Sequence, residues 1–108
     1  MNHWLALSFA ILLEVSGTVS MKLSEGFTKL FPSVLMVLLY LASFAFLTLA
    51  LKRIDVSIAY AIWAGVGTAL VAVIGVLYFR EPMTLLKGMS VLLIVAGVVG
   101  LHYSGVKQ

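Results

Sequence analysis

Four long apolar stretches, separated by short charged segments, limit what this chain of 108 residues can fold into. They cover residues 1–21, 30–51, 56–79 and 88–106. Each has about the 20 residues that an α-helix needs to cross roughly 30 Å of hydrocarbon. Because the backbone must satisfy its own hydrogen bonds in lipid, helices are expected throughout these stretches. The pattern predicts an all-α membrane protein with four transmembrane helices in a single domain, residues 1–108.

Charged and turn-forming residues between the stretches place the helix ends. We predict helices over residues 3–21, 32–51, 57–79 and 84–104. Pro32 suits a first helical turn, where its missing N–H does no harm, and Asp55 or Ser57 can cap the third helix. Since each connection has only a few residues, neighbouring helices are expected to be adjacent and antiparallel.

Composition excludes several other classes of protein. The chain is 63% hydrophobic and 10% charged, far from the composition of soluble domains. It has no cysteine, which removes disulfides and cysteine-ligated metals, and the isolated His3 and His102 favour interfacial positions over metal ligation. The lysines and arginines lie between the apolar stretches, as in loops on a membrane surface, so no nucleic-acid partner is expected. The first stretch lacks a basic leader region and a convincing cleavage site, which favours a transmembrane helix over a signal peptide.

The first apolar stretch, LALSFAILLEVSGTVSM, carries one carboxylate near its middle, Glu14. A charged group at membrane depth costs at least a few kcal/mol, so by default it faces a cavity or a partner and marks a proton, ion or substrate pathway. Residues three and four positions away are Ala10, Ile11, Gly17 and Thr18. These residues are mostly small, which leaves space for a solute, and Thr18 is expected to hydrogen-bond the carboxylate.

Two effects favour a proton on Glu14. Desolvation disfavours the charged carboxylate, and a second copy of Glu14 across a dimer would disfavour it further by repulsion. We expect a group in this position to hold either a proton or an organic cation. Mutual exclusion between the two is sufficient for antiport, and no covalent chemistry is needed, so the chain is not expected to be an enzyme. The sequence has no glycine-rich phosphate loop, so transport would draw on an ion gradient.

Aromatic residues offer a receptor for such a cation. Tyr60 and Trp63 lie three residues apart on one face of the third predicted helix, and Tyr40 and Phe44 lie four apart on the second. Aromatic faces attract quaternary and delocalised cations. Tyrosine and tryptophan are also common at membrane interfaces, but Trp63 should lie several residues deep, which favours a binding role.

Gly65 and Gly67 follow Trp63 in the same helix. Paired glycines permit a kink, and we predict a hinge here that exchanges two access states. Close packing against a neighbouring helix explains the same glycines without motion.

Four helices make a thin bundle, so a cavity built between subunits is favoured. The fourth predicted helix offers a surface for dimerisation, with small residues at Ser90, Gly97 and Gly100. Helices associate in lipid through small residues of this kind. The alternative is that glycine is simply common in transmembrane helices.

The charges of the connections do not choose an orientation in the membrane. The first and third connections hold four lysines and arginines, and the second connection with the C-terminal Lys107 holds three. Because cytoplasmic loops normally carry the excess, this near balance predicts insertion both ways round and an antiparallel pair of identical chains. A weak bias that still gives one orientation is the alternative.

These motifs resemble those of the small multidrug resistance transporters, over nearly the whole chain. The resemblance rests on LLEVSGTVSMKLSEGF around Glu14, on PSV followed by Tyr40 and Ser43, and on SIAYAIWAGVGTAL with Tyr60 and Trp63. It implies that Glu14 is the shared site for protons and cationic substrate, and that Tyr40, Tyr60 and Trp63 line the pocket. It also implies an antiparallel, dual-topology homodimer that associates through the fourth helix.

Two positions distinguish subtypes within that family. A guanidinium-exporting subtype tends to have glycine where this chain has Ile11 and tryptophan where it has Gly17, so the chain resembles the quaternary-ammonium, multidrug subtype. Family members often have two glycines seven apart in the fourth helix, and Ser90 departs from that pattern. Serine is still small, so the dimer is expected to persist.

The sequence thus predicts a proton-coupled antiporter of the bacterial inner membrane that exports hydrophobic and quaternary ammonium cations. Its partners would be small organic cations, membrane lipids and a second copy of the chain, with protons as the coupling ion and no other cofactor. A guanidinium or polyamine exporter, or a non-transporting membrane subunit, is the alternative interpretation.

Overall fold

The structure, a computed structural model, describes residues 2–106 and contains four α-helices in that range. They are α1 (His3–Leu23), α2 (Leu30–Ala50), α3 (Val56–Leu77) and α4 (Leu85–Val106). All four are long and apolar enough to cross a membrane. The predicted all-α fold with four transmembrane helices is therefore confirmed. Lys107, which entered the count of loop charges, lies outside the described residues.

The helix ends lie within two residues of the predicted ends. At the start of α1, the side chain of Asn2 accepts a hydrogen bond from the backbone N–H of Trp4 at 2.8 Å, which caps the helix. Asp55 occupies the N-cap position of α3, but its side chain makes no capping hydrogen bond. α3 ends earlier than predicted, because the chain turns at Arg80, which has a left-handed φ of 57°.

Backbone contacts divide the chain into two compact units, one ending at Ile54 and one beginning at Asp55. The first unit contains α1 packed on α2, and the second contains α3 packed on α4. Each is an antiparallel helix pair, as short connections require. That all 108 residues form one domain stays a prediction.

The core of the first unit is a stripe along α1 that meets one face of α2. On α1 the buried residues recur with helical spacing. On α2, Met36, Ser43 and Ala50 are buried, and they lie seven residues apart on one face. Ala10, Ser43 and Ala50 have no exposed surface at all, so the two backbones approach closely where these residues meet.

Ser24 organises the turn between α1 and α2. It is fully buried, its Oγ donates to the carbonyl of Met21 at 2.7 Å, and the same Oγ accepts from the backbone N–H of Phe27 at 3.1 Å. Its carbonyl accepts from the N–H groups of Thr28 and Lys29. These bonds hold a turn whose residues 25–27 all have left-handed φ angles, between 50° and 71°. The direction in which α2 leaves α1 therefore depends on one buried serine.

The second unit is less tightly built on its α4 side. On α3 the buried residues include Ile58, Ala59 and Ile62, whereas none of the side chains described for α4 is buried. α4 therefore presents most of its apolar surface outward from this unit.

Removal of the Ser24 hydroxyl should destabilise the first unit. Ser24→Ala takes away the partner of two backbone groups at a buried position of the turn, and we expect a loss of about 1–2 kcal/mol in the free energy of unfolding. Unfolding of detergent-solubilised protein by sodium dodecyl sulfate, followed by circular dichroism, measures it. Ser33→Ala is the matched control, since the Ser33 hydroxyl is exposed and bonds only to the carbonyl of Lys29 in its own helix turn. Equal stabilities of the two variants would contradict the role of Ser24.

Candidate proton and cation site

Glu14 lies near the middle of α1, about 16 Å along the helix axis from its first residue. Its side chain is half-buried within the first unit. The Oγ1 of Thr18, one turn further along, donates a hydrogen bond to Glu14 Oε1 at 2.9 Å. The predicted bond between these two residues is confirmed.

A second hydrogen bond extends this contact to α2. The hydroxyls of Thr18 and Tyr40 are 2.8 Å apart, which places Tyr40, Thr18 and Glu14 in one continuous chain. The Tyr40 ring also stacks on Phe44, with centroids 6.4 Å apart and planes inclined by 22°. The first unit therefore brings together four of the predicted site residues.

Gly17 provides the space in which the Tyr40 ring lies. A Cβ atom at position 17 would be 2.6 Å from both Cδ1 and Cε1 of Tyr40, a distance that side chains do not tolerate. Gly17 is itself buried. The glycine thus allows the ring to rest on the α1 backbone and its hydroxyl to reach Thr18.

Most helix hydroxyls in this protein bond to the carbonyl four residues earlier in their own helix, the usual arrangement for serine and threonine in lipid. This group comprises Ser8, Ser16, Ser20, Ser33, Thr48 and Thr68. Thr18 and Ser43 instead bond to side chains or to a second helix. Thr18 bonds to Glu14 and Tyr40, and the fully buried Ser43 donates across to the Ala10 carbonyl of α1 at 2.6 Å.

Ser43 therefore joins the two helices one turn before Glu14. Ala10 is the residue whose carbonyl an ideal helix offers to the backbone N–H of Glu14. The resemblance alone pointed to Ser43, and no sequence spacing indicated that its partner is a backbone carbonyl of α1. The seven-residue spacing of Met36, Ser43 and Ala50 was the available signal that Ser43 faces another helix.

Glu14 takes part in neither of the two ion pairs found among residues 2–106. These join Lys29 to Glu25 at 3.5 Å and Lys87 to Glu81 at 3.8 Å, both in or beside the connections between helices. The carboxylate in the middle of α1 thus accepts a hydrogen bond from a hydroxyl and forms no ion pair with a cation of the described chain.

Ala10 and Ile11 are buried in the interface of α1 with α2, at 0% and 5% exposure. Together with Gly17, they supply the close approach of the two helices that positions Tyr40 and Ser43. Phe44, by contrast, is 50% exposed beside the Tyr40 ring. The accessible part of the first unit's candidate site is therefore on the side of Glu14, Tyr40 and Phe44.

The second unit carries the other predicted aromatic pair. Tyr60 and Trp63 meet edge to face, with ring centroids 5.5 Å apart, and Tyr60 is 59% exposed. Their predicted spacing on one face of a helix is confirmed within this unit.

The predicted hinge glycines lie in the unbroken helix α3. Gly67 is buried, and a Cβ at Gly65 would be 2.5 Å from Cγ2 of Val98 in α4. This contact supports close helix packing as one reason for Gly65. A hinge at the two glycines stays a prediction.

The predicted dimer contacts Ser90, Gly97 and Gly100 are all exposed on α4. No atom of the described chain lies within 4 Å of a Cβ built at Gly97 or Gly100. The second unit therefore leaves these positions open, and their role in a dimer stays a prediction.

A groove of about 640 Å³ also lies in the second unit, between α3 and the start of α4. Its lining is apolar except for one threonine, and comprises Ala72, Val73, Met83, Thr84, Leu85, Gly88, Met89, Val91 and Leu92. The Oγ1 of Thr84 already accepts the backbone N–H of Lys87 at 3.0 Å. Because this lining offers no carboxylate, the candidate site for a cation remains the surroundings of Glu14.

Comparison with known proteins gives a consistent result. The family described as Small Multidrug Resistance protein matches residues 2–94. A protein of Bacillus subtilis named multidrug resistance protein EbrB is 46% identical over 104 residues, which cover 96% of this chain and 89% of that protein. The quaternary ammonium compound-resistance protein QacG of a Staphylococcus species is 43% identical over 103 residues, 95% of this chain and 96% of its own.

An uncharacterized membrane protein of Bacillus subtilis, YvaE, is more similar still, at 56% identity over 100 residues. The match covers 93% of this chain and 84% of that protein. The resemblance seen in the sequence motifs is confirmed by these matches, which extend over nearly the whole chain.

The contact of Gly65 with Val98 predicts what an added methyl group does. Gly65→Ala forces Val98 to move, and we expect a loss of about 1–3 kcal/mol in the free energy of unfolding. Gly88→Ala is the control, because its Cβ would meet only the sulfur of Met83 at 3.8 Å, and it should leave stability unchanged or raise it by up to about 1 kcal/mol. Detergent unfolding measures both. Unchanged stability in Gly65→Ala together with slowed transport would favour the hinge instead.

Proposed function

Since this chain belongs to the small multidrug resistance family of bacterial membrane transporters, we propose that it is a proton-coupled antiporter that exports hydrophobic and quaternary ammonium cations. It is a multi-pass membrane protein and not an enzyme. In this proposal Glu14 binds a proton and a cation in turn. The observation that carries it is the half-buried Glu14 carboxylate near the middle of α1, a helix long and apolar enough to cross a membrane, whose hydrogen-bond partner is Thr18.

A lone carboxylate at this depth needs a positive partner or a proton. A buried charge that has no partner of opposite sign is costly. Glu14 forms no ion pair with a cation of the described chain. Two mobile species can supply the missing charge, a proton or a cationic solute. Because both neutralise the same oxygens, binding of one excludes the other.

The surroundings of Glu14 favour an apolar cation over a small hydrated one. Phe44 and Tyr40 stack beside the site in the first unit, and aromatic faces attract cations that carry little hydration. Such a site fixes no individual N–H donors of the solute, so selectivity would be broad. The name of QacG refers to quaternary ammonium compounds, which are cations of this chemistry, and the name of EbrB refers to multidrug resistance.

Competition at one carboxylate is enough to couple the two fluxes. A ligand shifts a conformational equilibrium only through its different affinity for the two states. In each passage the site faces first one side of the membrane and then the other, and it carries either a proton or a cation. Each full turnover therefore exchanges one species for the other. The proton gradient then drives cation export, and no cofactor is required.

We further propose that two copies of the chain function as an antiparallel homodimer. None of the described α4 side chains is buried within its own unit, and the open positions at Gly97 and Gly100 suit close contact with another helix. The near balance of loop charges supports insertion in both orientations. A dimer would bring two Glu14 carboxylates to one cavity.

Proton release on cation binding is the direct test of the shared site. Addition of tetraphenylphosphonium to purified, weakly buffered protein near pH 7 should acidify the solution. The apparent affinity should rise with pH, by up to about tenfold per unit for each proton displaced. Glu14→Gln should abolish both effects. Glu25→Gln is the matched control, because Glu25 is an exposed carboxylate paired with Lys29 at the membrane surface.

Four outcomes separate this proposal from its alternatives. Binding without acidification, or pH-dependent binding by Glu14→Gln, would refute a shared site at Glu14. Proton release by guanidinium but not by tetraphenylphosphonium would indicate a guanidinium exporter. Purified protein that binds neither cation would indicate a subunit that does not transport.

Orientation in the membrane can be tested with one introduced cysteine, because the chain has none of its own. Thr28→Cys places it in the first connection and leaves the count of lysines and arginines unchanged. Dual orientation predicts that membrane-impermeant maleimide labels about half of the protein from each side of intact cells or inverted vesicles. Labelling from one side alone would contradict dual topology and leave the antiport proposal standing.

A further inference from the structure

In the chain of hydrogen bonds from Tyr40 through Thr18 to Glu14, each hydroxyl has one hydrogen to donate. This limit decides which group donates in each bond. A charged carboxylate only accepts, so Thr18 must donate its single hydroxyl hydrogen to Glu14 Oε1. The Thr18 oxygen can then only accept from Tyr40, although distance alone allows either hydroxyl to be the donor. With Glu14 charged, both hydrogens therefore point toward the carboxylate.

A proton on Glu14 removes this requirement. The neutral carboxyl group has an O–H of its own and can donate to Thr18, which then donates to Tyr40. In that arrangement the phenol hydrogen of Tyr40 no longer points to α1. The preferred direction of both bonds thus differs between charged and protonated Glu14.

We propose that Tyr40 is a positioning residue that acts through Thr18 to set the pH at which Glu14 exchanges its proton for a cation. This inference rests on the proposed function, in which Glu14 takes up both ligands. It assigns to the Tyr40 hydroxyl a role distinct from that of its ring, which lies against Gly17 and Phe44. Donors aimed at a carboxylate stabilise its charged form, and bonds in a chain strengthen one another.

The hydrogen-bond chain also depends on Gly17. The ring reaches Thr18 only because position 17 has no Cβ, which would come within 2.6 Å of two ring carbons. A methyl group there must displace the ring and with it the hydroxyl. Position 17 therefore controls the hydrogen-bond chain through the position of the Tyr40 ring.

Other ionisable groups of this helix pair are far from the chain of bonds. On α2, Tyr40 is the single titratable residue, and on α1 the others are His3 and Lys22, about 16 and 12 Å from Glu14 along the axis. In the connection, Glu25 and Lys29 pair with each other. Within the first unit, the two hydroxyls are thus the nearest groups that respond to the charge on Glu14.

The test is the pH profile of tetraphenylphosphonium binding to the purified full-length protein in detergent, measured for each variant. Thr18→Val should move the half-maximal pH upward by about one unit, since a hydrogen bond to a charged group is lost. Tyr40→Phe keeps the ring and should move it upward by about half a unit, because only the support of Thr18 is lost. The double variant should show the shift of Thr18→Val alone, because Tyr40 acts through Thr18.

Gly17→Ala provides an independent route to the same effect. In the wild-type background it should shift the profile as Tyr40→Phe does. In the Tyr40→Phe background it should add no further shift, since the hydroxyl is already absent. A purely steric role for Gly17 would instead give the same change in both backgrounds.

Matched controls remove other hydroxyls with the same substitutions. Thr48→Val and Tyr78→Phe act on exposed residues, and the Thr48 hydroxyl bonds only to the Phe44 carbonyl of its own helix. Both should keep the wild-type profile. Thr18→Ser retains a hydroxyl at the same position and should keep the half-maximal pH close to the wild-type value.

The outcomes distinguish this inference from the proposed function. If wild-type binding depends on pH and Tyr40→Phe leaves the half-maximal pH unchanged, the Tyr40 hydroxyl does not set that pH and the inference is wrong. If the shifts of Thr18→Val and Tyr40→Phe add in the double variant, Tyr40 does not act through Thr18. If wild-type binding is independent of pH, the proposed shared site at Glu14 is wrong, and this inference, which rests on it, is wrong as well.

Discussion

A carboxylate at membrane depth has lost most of the water that would solvate its charge, and the polar groups around Glu14 replace only part of that water. Thr18 donates one hydrogen bond, and Tyr40 supports Thr18. Neither brings a positive charge. This incomplete compensation distinguishes Glu14 from Glu25 and Glu81, which lie near the membrane surfaces with lysine partners. In the proposed antiport mechanism, this incomplete compensation is the reason that Glu14 binds either a proton or a cation.

The first helix pair is built to hold that carboxylate in place. Small residues let α1 and α2 approach closely, and the Ser43 hydroxyl joins α2 to the backbone of α1 one turn before Glu14. α4 contributes no buried side chain among those described, so the second unit has far less internal packing on that side. In lipid such a surface is covered either by acyl chains or by another helix, and small residues favour the helix.

The family relationship of the chain and the geometry around Glu14 are two independent observations. The matches to multidrug and quaternary ammonium resistance proteins extend over nearly the whole chain, and they place it among membrane transporters. The geometry adds which atoms surround Glu14 in this chain. Serines and threonines that merely satisfy their own helix, such as Ser16 and Thr48, stand apart from Thr18 and Ser43, whose hydroxyls are turned to other partners. In lipid, a hydroxyl that leaves its own helix marks a contact between elements.

The sequence alone determined the four spans, their approximate ends and the depth of Glu14, because helix rise and hydrocarbon thickness convert residue counts directly into distances. It also predicted the bond between Thr18 and Glu14, since residues four apart on a helix are neighbours. Only the tertiary structure decided that Tyr40 reaches Thr18, that Gly17 makes room for its ring and that Ser43 bonds to the Ala10 carbonyl. Those contacts join residues 22 or more positions apart in two helices, and helical periodicity fixes the face a residue occupies but not the height at which a second helix meets it.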